Sequence, residues 1–124
     1  MDWRFHKHLL WLAMINNDVV GWAGLSPVSV RKAYAGVTEV TIYVHPDQKG
    51  KGIGTQLMLH LIDESEKNDV WNLYASIFLE NTASIKLHIS SGFREIGFRE
   101  RIAQLDGKWR NTVLFERRSK KTGV

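Results

Sequence analysis

The stretch HPDQKGKGIGTQLMLHLI, residues 45–62, decides how the rest of the chain is interpreted. It follows a β-branched and aromatic run, EVTIYV (39–44), and continues into apolar residues at helical spacing, which predicts a strand-to-helix turn. Gly50, Gly52 and Gly54 let the backbone approach a ligand closely, and the first amides and the dipole of a helix favour an anion. We therefore expect a phosphate group here, although the spacing fits neither a Walker loop nor a dinucleotide fingerprint. A plain turn with exposed lysines is the alternative.

Periodicity and turn signals define the other elements. Asn16-Asn17-Asp18 and Asp106-Gly107 are hairpin signals, Asn81 can cap a helix, and Gly92 suits the position after its end. The predicted strands are LLWLAMI (9–15), VVGWAGL (19–25), EVTIYV (39–44), WNLYASIFL (71–79), FREIGFRERI (93–102) and KWRNTVLFE (108–116). The order β-β-β-α-β-α-β-β predicts an α/β (α+β) fold, a mixed sheet with helices packed on it.

Size and composition limit the classes of protein to which the chain can belong. Its 124 residues predict one domain, 1–124, with a flexible tail at 117–124. Without cysteine it can form neither a disulfide nor a Cys-ligated zinc site, and we predict no metal site. No run is long enough to span a membrane, and we expect a cytoplasmic protein. The net charge of +4 lies largely in RRSKK (117–121), which argues against nucleic-acid binding.

Two motifs resemble those of the GNAT acyl-CoA-dependent N-acetyltransferases. KGKGIG (49–54) resembles the R/Q-x-x-G-x-G/A signature, with Lys49 where the family usually has Arg or Gln, so the charge stays but the bidentate fork is lost. NTASIKLHISSGF (81–93) resembles the segment N-x-x-A-x-x-L-Y-x-x-x-G-F. The resemblance implies the GNAT fold, a mixed and mostly antiparallel sheet with two main helices, and acetyl-CoA as the co-substrate.

Further markers, spread over residues 9–117, resemble one branch of that family, the phosphinothricin and methionine sulfoximine/sulfone N-acetyltransferases. They include VGWA (20–23), RKAY (31–34) and GKWRN (107–111). Members of this branch normally begin with an extra strand and two helices, which wall one side of the acceptor pocket. This chain starts roughly where their second strand begins, so the resemblance implies an N-terminally shortened form of the fold.

The resemblance also implies roles for particular residues. Those expected to bind the coenzyme are Ile42, Tyr43, Val44, Lys49, Gly50, Lys51, Gly52, Ile53, Gly54, Thr55 and Asn81. Glu39 is the expected base, acting through water, and His88 the expected acid for the departing thiolate. The residues expected to bind the acceptor are Glu39, Ser29, Val30, Arg31 and Tyr34. Simpler roles stay open: an exposed strand carboxylate for Glu39, a helix N-cap for Asn81 and a packed helix histidine for His88.

These observations predict an acetyl-CoA-dependent N-acetyltransferase that acts by direct attack of a small amino-acid-like amine, of the phosphinothricin or methionine sulfoximine/sulfone type. The acceptor loop carries Arg31 and Lys32 and no acid, which disfavours a polyamine and favours an anionic or zwitterionic acceptor. A peptide or another amine is the alternative within the same chemistry. An inactive acyl-CoA-binding fragment that needs a partner to complete its sheet is the alternative outside it. A homodimer is the assembly to be considered.

Overall fold

A sheet of seven strands with two α-helices is the frame of the protein in this computed structural model, which describes residues 2–7 and 9–124. The strands are β1 (Asp2–Lys7), β2 (Leu10–Ile15), β3 (Asp18–Pro27), β4 (Val37–Val44), β5 (Asn72–Phe78), β6 (Arg94–Leu105) and β7 (Lys108–Arg118), and the helices are α1 (Ile53–Lys67) and α2 (Thr82–Ser90). The strands lie in the order β1-β2-β3-β4-β5-β7-β6. The predicted mixed sheet with two main helices is therefore confirmed.

The connection between β4 and β5 sets the topology. These two strands are parallel, whereas the other neighbouring strands of the described sheet are antiparallel. A parallel pair needs a crossover, and α1 provides it. The helix begins at the predicted turn, with Gly52 as its N-cap and Asn68 as its C-cap. The glycine-rich turn consequently lies at the carboxyl end of the central strand.

The two predicted hairpins are also present. Asn16 and Asn17 have φ angles of 52° and 67°, and Asp106 and Gly107 have 52° and 75°. Two consecutive left-handed residues form the turn that matches the twist of paired strands, and Asn, Asp and Gly tolerate that conformation best. Both loops therefore contain two residues, and they fix the register of the strands that they join.

Strand β1 corrects the predicted element order, which began with the strand at residues 9–15. Asp2–Lys7 pairs antiparallel with β2, and the ring of Trp3 stacks on His60 of α1 with the centroids 4.0 Å apart. Trp3 and Phe5 alternate with charged and polar neighbours in the sequence, which is a strand signal. The signal is weak because the segment is short and lies directly before the more strongly apolar run at residues 9–15.

The core lies between the sheet and the two helices, which pack on the same face. Leu57, Met58 and Leu61 of α1 are fully buried against that face. Gly21 of β3 makes the close packing possible, because a Cβ at this position would lie 2.9 Å from Cδ1 of Leu57. Leu87 of α2 approaches the N-terminal end of α1, so the first turns of both helices border the same space.

Candidate functional site

A cleft opens where the parallel strands β4 and β5 separate. Their register ends with Glu39 opposite Tyr74, although the strands continue to Val44 and Phe78. The cleft has a volume of about 510 Å³ and reaches from this gap to the N-terminal ends of both helices. Its lining residues are Ile42, Tyr43, Val44, Pro46, Gln48, Lys49, Gly50, Gly52, Ile53, Gly54, Thr55, Asn81, Ala83, Ser84 and Leu87.

The backbone of β4 presents amides to this cleft. The N–H of His45 donates to the carbonyl of Val20 at 2.8 Å, so it points towards β3. Peptide groups alternate in direction along a strand. The amide of Tyr43 therefore also points towards β3, and those of Ile42 and Val44 point into the gap. Because the ladder with β5 has already ended, these two amides remain available to a ligand.

The turn before α1 and the first amides of that helix, residues 50–55, form a cradle for a ligand. Gly50 and Gly52 have φ angles of 80° and 75°, and a Cβ added to either would meet no atom within 4 Å among the residues described. The first hydrogen bond of α1 joins the N–H of Gln56 to the carbonyl of Gly52 at 3.2 Å. The amides of residues 53–55 precede it and have no intrahelical acceptor. With the helix dipole behind them, these groups fit a diphosphate.

Ten of the eleven residues expected to bind the coenzyme line the cleft, and Lys51 is the one that does not. Its Nζ donates to Oε1 of Gln48 at 3.4 Å, at the outer side of the turn. Lys49 is exposed at the rim of the cleft. Both lysines thus place positive charge near the cradle, but only Lys49 lines the cleft.

Asn81 connects the cleft to the start of α2. Its Oδ1 accepts a hydrogen bond from the N–H of Ser84 at 3.2 Å, so the residue is an N-cap. Capping uses only the acceptor of the side-chain amide, and the Nδ2 donor stays available in the cleft. The structural and the coenzyme-binding interpretations of Asn81 are therefore compatible.

Glu39 lies at the base of the gap, away from the glycine turn. It is half-buried, opposite Ser26 on β3 and Tyr74 on β5, and it is not among the cleft-lining residues. Its side chain projects from the same face of β4 as that of Tyr43, which does line the cleft and lies about 13 Å further along the strand. A ligand bound along β4 would therefore have the Glu39 carboxylate near one end and the cradle near the other.

The loop between β3 and β4 begins next to Glu39 and carries the residues expected to bind the acceptor. Oγ of Ser29 accepts a hydrogen bond from the N–H of Arg31 at 3.1 Å, which fixes the start of the loop. Val30, Arg31 and Tyr34 are exposed. These four residues lie outside the cleft lining. The loop thus starts beside Glu39, but its residues do not line the cleft at the glycine turn.

His88 is buried against the core and lies outside the cleft lining. Its Nδ1–H donates to the carbonyl of Ser84 at 2.7 Å, and its ring lies edge-on to that of Phe93 at 4.8 Å. Nε2 is buried without a hydrogen-bond partner among the described residues. Burial lowers the pKa of His88, and the hydrogen bond to Ser84 opposes this only in part. The acid role remains a prediction, and this environment favours a neutral, packed ring.

Five cleft-lining residues were not predicted from the sequence: Pro46, Gln48, Ala83, Ser84 and Leu87. Ser84 and Leu87 follow Asn81 at intervals of three residues, and such residues share one face of a helix. This spacing was available as a signal. The positions of Pro46 and Gln48 depend on the short 3-10 turn Pro46–Gln48, which no periodicity marks.

Comparisons with known proteins identify the family of this chain. Residues 1–93 match the family model described as Acetyltransferase (GNAT) family. The chain is 34% identical over 102 residues to a phosphinothricin N-acetyltransferase of Streptomyces coelicolor, covering 82% of this chain and 60% of that protein. It is 34% identical over 99 residues to an L-methionine sulfoximine/L-methionine sulfone acetyltransferase of Pseudomonas paraeruginosa, covering 80% of this chain and 58% of that one.

A solved structure extends the similarity to three dimensions. A GNAT superfamily phosphinothricin acetyltransferase from Sinorhizobium meliloti, crystallised in complex with AcCoA, superposes with a TM-score of 0.85 at 28% identity, covering 92% of this chain and 62% of that chain. The chain therefore belongs to the GNAT acetyltransferase family. It spans about 60% of the length of the two curated relatives. Among residues 2–7 and 9–124, no helix has the length and apolar character needed to cross a membrane.

Proposed function

We propose that the protein transfers acetyl from acetyl-CoA to the amine of a small amino-acid-like acceptor, of the phosphinothricin or methionine sulfoximine/sulfone type. The observation that carries the proposal is the cradle at Gly50 and Gly52, where open left-handed glycines precede a helix next to a gap between parallel strands. The names of the relatives support this class of acceptor.

In this proposal the cradle holds the diphosphate of the coenzyme at the amides of residues 53–55. The pantetheine arm lies in the gap along β4, where the backbone of Ile42 and Val44 is free of β5. Nδ2 of Asn81 donates a hydrogen bond to that arm. The Val44 amide points towards the thioester oxygen, and a donor of this kind typically contributes about 10²–10³-fold in rate.

The acceptor approaches from the other end of β4. Glu39 accepts the proton of the acceptor ammonium through a water molecule, which leaves a neutral nitrogen. Arg31 binds the acceptor carboxylate in a bidentate manner, and Tyr34, with Ser29 and Val30, shapes the loop around it. The two substrates thus reach the reaction centre from opposite ends of the same strand.

Acetyl-CoA supplies the acyl group as a thioester, so the new amide bond forms as the carbon–sulfur bond breaks. At pH 7 about a tenth of an α-amine with a pKa near 8 is neutral. Deprotonating the acceptor therefore costs only about 1.4 kcal/mol, which is the cost that Glu39 has to offset. Correct orientation of two reactants supplies up to roughly 7–11 kcal/mol. The chain's main contribution is consequently the shape of the gap and the cradle, and the base adds a smaller part.

A homodimer in the cytoplasm completes the proposal. The β6–β7 hairpin exposes several large apolar side chains, and exposed apolar surface of this kind favours association. They are Ile96, Phe98, Ile102, Leu105 and Trp109. Sedimentation velocity of the wild-type protein and of a Phe98→Ser/Ile102→Ser variant tests this part. Equal masses for both, at the monomer value, would contradict it.

The activity is tested by following release of the coenzyme thiol with phosphinothricin, methionine sulfoximine, methionine sulfone, spermidine and a peptide with a free N-terminus. We expect saturable turnover with the first three amines. Turnover confined to the peptide or to spermidine would contradict the proposed class of acceptor but would leave acetyl transfer from acetyl-CoA as the reaction. Acetyl-CoA binding in calorimetry without turnover of any amine would indicate an acyl-CoA-binding module.

A further inference from the structure

A second cavity lies at the other end of the helices, far from the strand gap. It has a volume of about 300 Å³, and we call it the tail pocket. Its lining residues are Glu66, Ser91, Gly92, Arg117, Arg118, Lys120 and Lys121. Glu66 belongs to the last turn of α1, and Ser91 and Gly92 directly follow α2. Because α1 has 15 residues, the two cavities are separated by a helix of about 22 Å.

The tail pocket carries an excess of positive charge. Four of its residues are cations and Glu66 is its one acid. The carbonyl ends of α1 and α2 add about half a negative charge each. Even after those contributions, about two positive charges remain uncompensated. Capping of the helix ends therefore does not account for all of the cations.

Hydrogen bonds hold the tail in place around this pocket. The guanidinium of Arg118 donates to the carbonyls of Ser119 at 2.8 Å, Thr122 at 3.1 Å and Gly123 at 2.6 Å. The hydroxyl of Ser119 donates to Glu66 and accepts the N–H groups of Lys121 and Thr122, both at 3.1 Å. Arg118 and Ser119 thus hydrogen-bond to the backbone of the segment that carries the two lysines.

The remaining cations have little to neutralise them. Arg117 lies at 4.0 Å from Oε2 of Glu66, the limit for an ion pair, and that carboxylate already accepts the Ser119 hydroxyl. Lys120 and Lys121 form no ion pair with any residue in the described part of the chain. A half-buried guanidinium and two ammonium groups that line one cavity match the charge of a phosphoryl group.

We propose that the tail pocket binds a small phosphorylated anion, separately from the coenzyme site. The volume is at the lower end of the range for small-molecule sites and accommodates inorganic phosphate or a short phosphomonoester. Binding there connects the C-terminal segment to the ends of both helices. This binding requires residues 117–123 and takes no part in the acetyl-transfer reaction.

Titration with inorganic phosphate and with glycerol phosphate, followed by amide NMR shifts, tests the proposal. The protein with Lys49→Gln/Lys51→Gln serves as the background, because it removes charge at the glycine turn. We expect saturable shifts at Ser91, Gly92 and Ser119, and an affinity about tenfold lower after adding Lys120→Gln/Lys121→Gln. Tighter binding of glycerol phosphate would indicate that the ligand is a phosphomonoester, and tighter binding of free phosphate would indicate inorganic phosphate.

Three outcomes would overturn the proposal. One is the absence of saturable shifts at the tail pocket with either anion. Another is an affinity that Lys120→Gln/Lys121→Gln leaves unchanged. The third is a loss of affinity that Lys86→Gln/Lys108→Gln, which removes two exposed lysines elsewhere, reproduces in full, because the effect would then follow from net charge.

Discussion

Glu39 on β4 and Tyr74 on β5 form the last register pair before the two parallel strands separate. Everything proposed for the coenzyme lies beyond this pair, and everything proposed for the acceptor lies at or before it. The pair therefore marks the boundary between the two halves of the site. In the proposed mechanism, the Glu39 carboxylate meets the acceptor amine at this boundary.

Glu39→Gln tests the proposed base. The substitution keeps the size of the side chain and removes its ability to take a proton, so we expect a lower kcat at neutral pH and an unchanged Kd for acetyl-CoA. The defect should shrink as pH rises towards the pKa of the amine, because the substrate then deprotonates without help. Glu95→Gln, on the exposed β6 strand, is the control. A wild-type pH–rate profile in the Glu39→Gln variant would remove Glu39 from the mechanism.

Gly52→Ala tests the cradle, and Gly107→Ala is a matched control. Both glycines have φ of 75°, and a Cβ at either meets no described atom within 4 Å. The backbone cost of a left-handed alanine, about 1–2 kcal/mol, is therefore the same for both. Only the methyl group at Gly52 occupies space assigned to the diphosphate. We expect calorimetry to give an acetyl-CoA Kd at least tenfold higher for Gly52→Ala, with the control unchanged. Equal acetyl-CoA affinities in the two variants would contradict the placement of the diphosphate at Gly52.

Two substitutions of Asn81 separate its capping role from its role in the cleft. Asn81→Asp keeps the acceptor for the Ser84 amide but replaces the Nδ2 donor with a negative charge. We expect thermal stability close to wild type and a clear loss of acetyl-CoA affinity. Asn81→Ala removes both functions, and loss of the cap should lower the free energy of unfolding by about 1 kcal/mol. If the Asn81→Asp variant binds acetyl-CoA as well as wild type, Asn81 is only a cap.

The burial of His88 should make the free energy of unfolding depend on pH. Burial lowers its pKa below the ordinary 6.5, so the unfolded chain takes up the proton at a higher pH than the folded protein does. The stabilisation is complete above about pH 6.5 and is lost as pH falls towards the folded-state pKa. Burial also lowers the pKa of His60, which acts in the same direction. Chemical denaturation between pH 7.5 and 5.5 should show a smaller slope for His88→Phe, and an unchanged slope would contradict the prediction.

The same His88→Phe variant tests the acid role. A general acid contributes about 10²–10⁴-fold in rate. Because Nδ1–H is committed to the carbonyl of Ser84 and the pKa is lowered, we expect kcat to fall by less than that. A drop of a hundredfold or more in a variant that retains its fold would support His88 as the acid.

Local patterns predicted the parts of the fold that short-range chemistry determines. The Asn16-Asn17 and Asp106-Gly107 turns, the start of α1 at the glycines and the N-cap Asn81 follow from residue preferences for φ and for helix ends. Strand β1 was missed because six residues with three charged side chains carry a weak alternation signal. Its pairing depends on β2, which a pattern within the segment does not reveal.

The site was predictable as a set of residues and less so as an arrangement. Ten of the residues expected to bind the coenzyme line one cleft because they lie on adjoining segments of a continuous strand, turn and helix, or cap the next helix. The burial of His88 could not be inferred in this way, because it depends on Phe93 and Phe115. The point at which β4 and β5 separate is a property of long-range pairing and has no local sequence signal.

A crystal structure with bound acetyl-CoA tests the central claim most directly. We predict that the diphosphate lies against the amides of residues 53–55, with the pantetheine arm between β4 and β5. Density for the coenzyme elsewhere, with those amides bonded to protein atoms, would contradict the account.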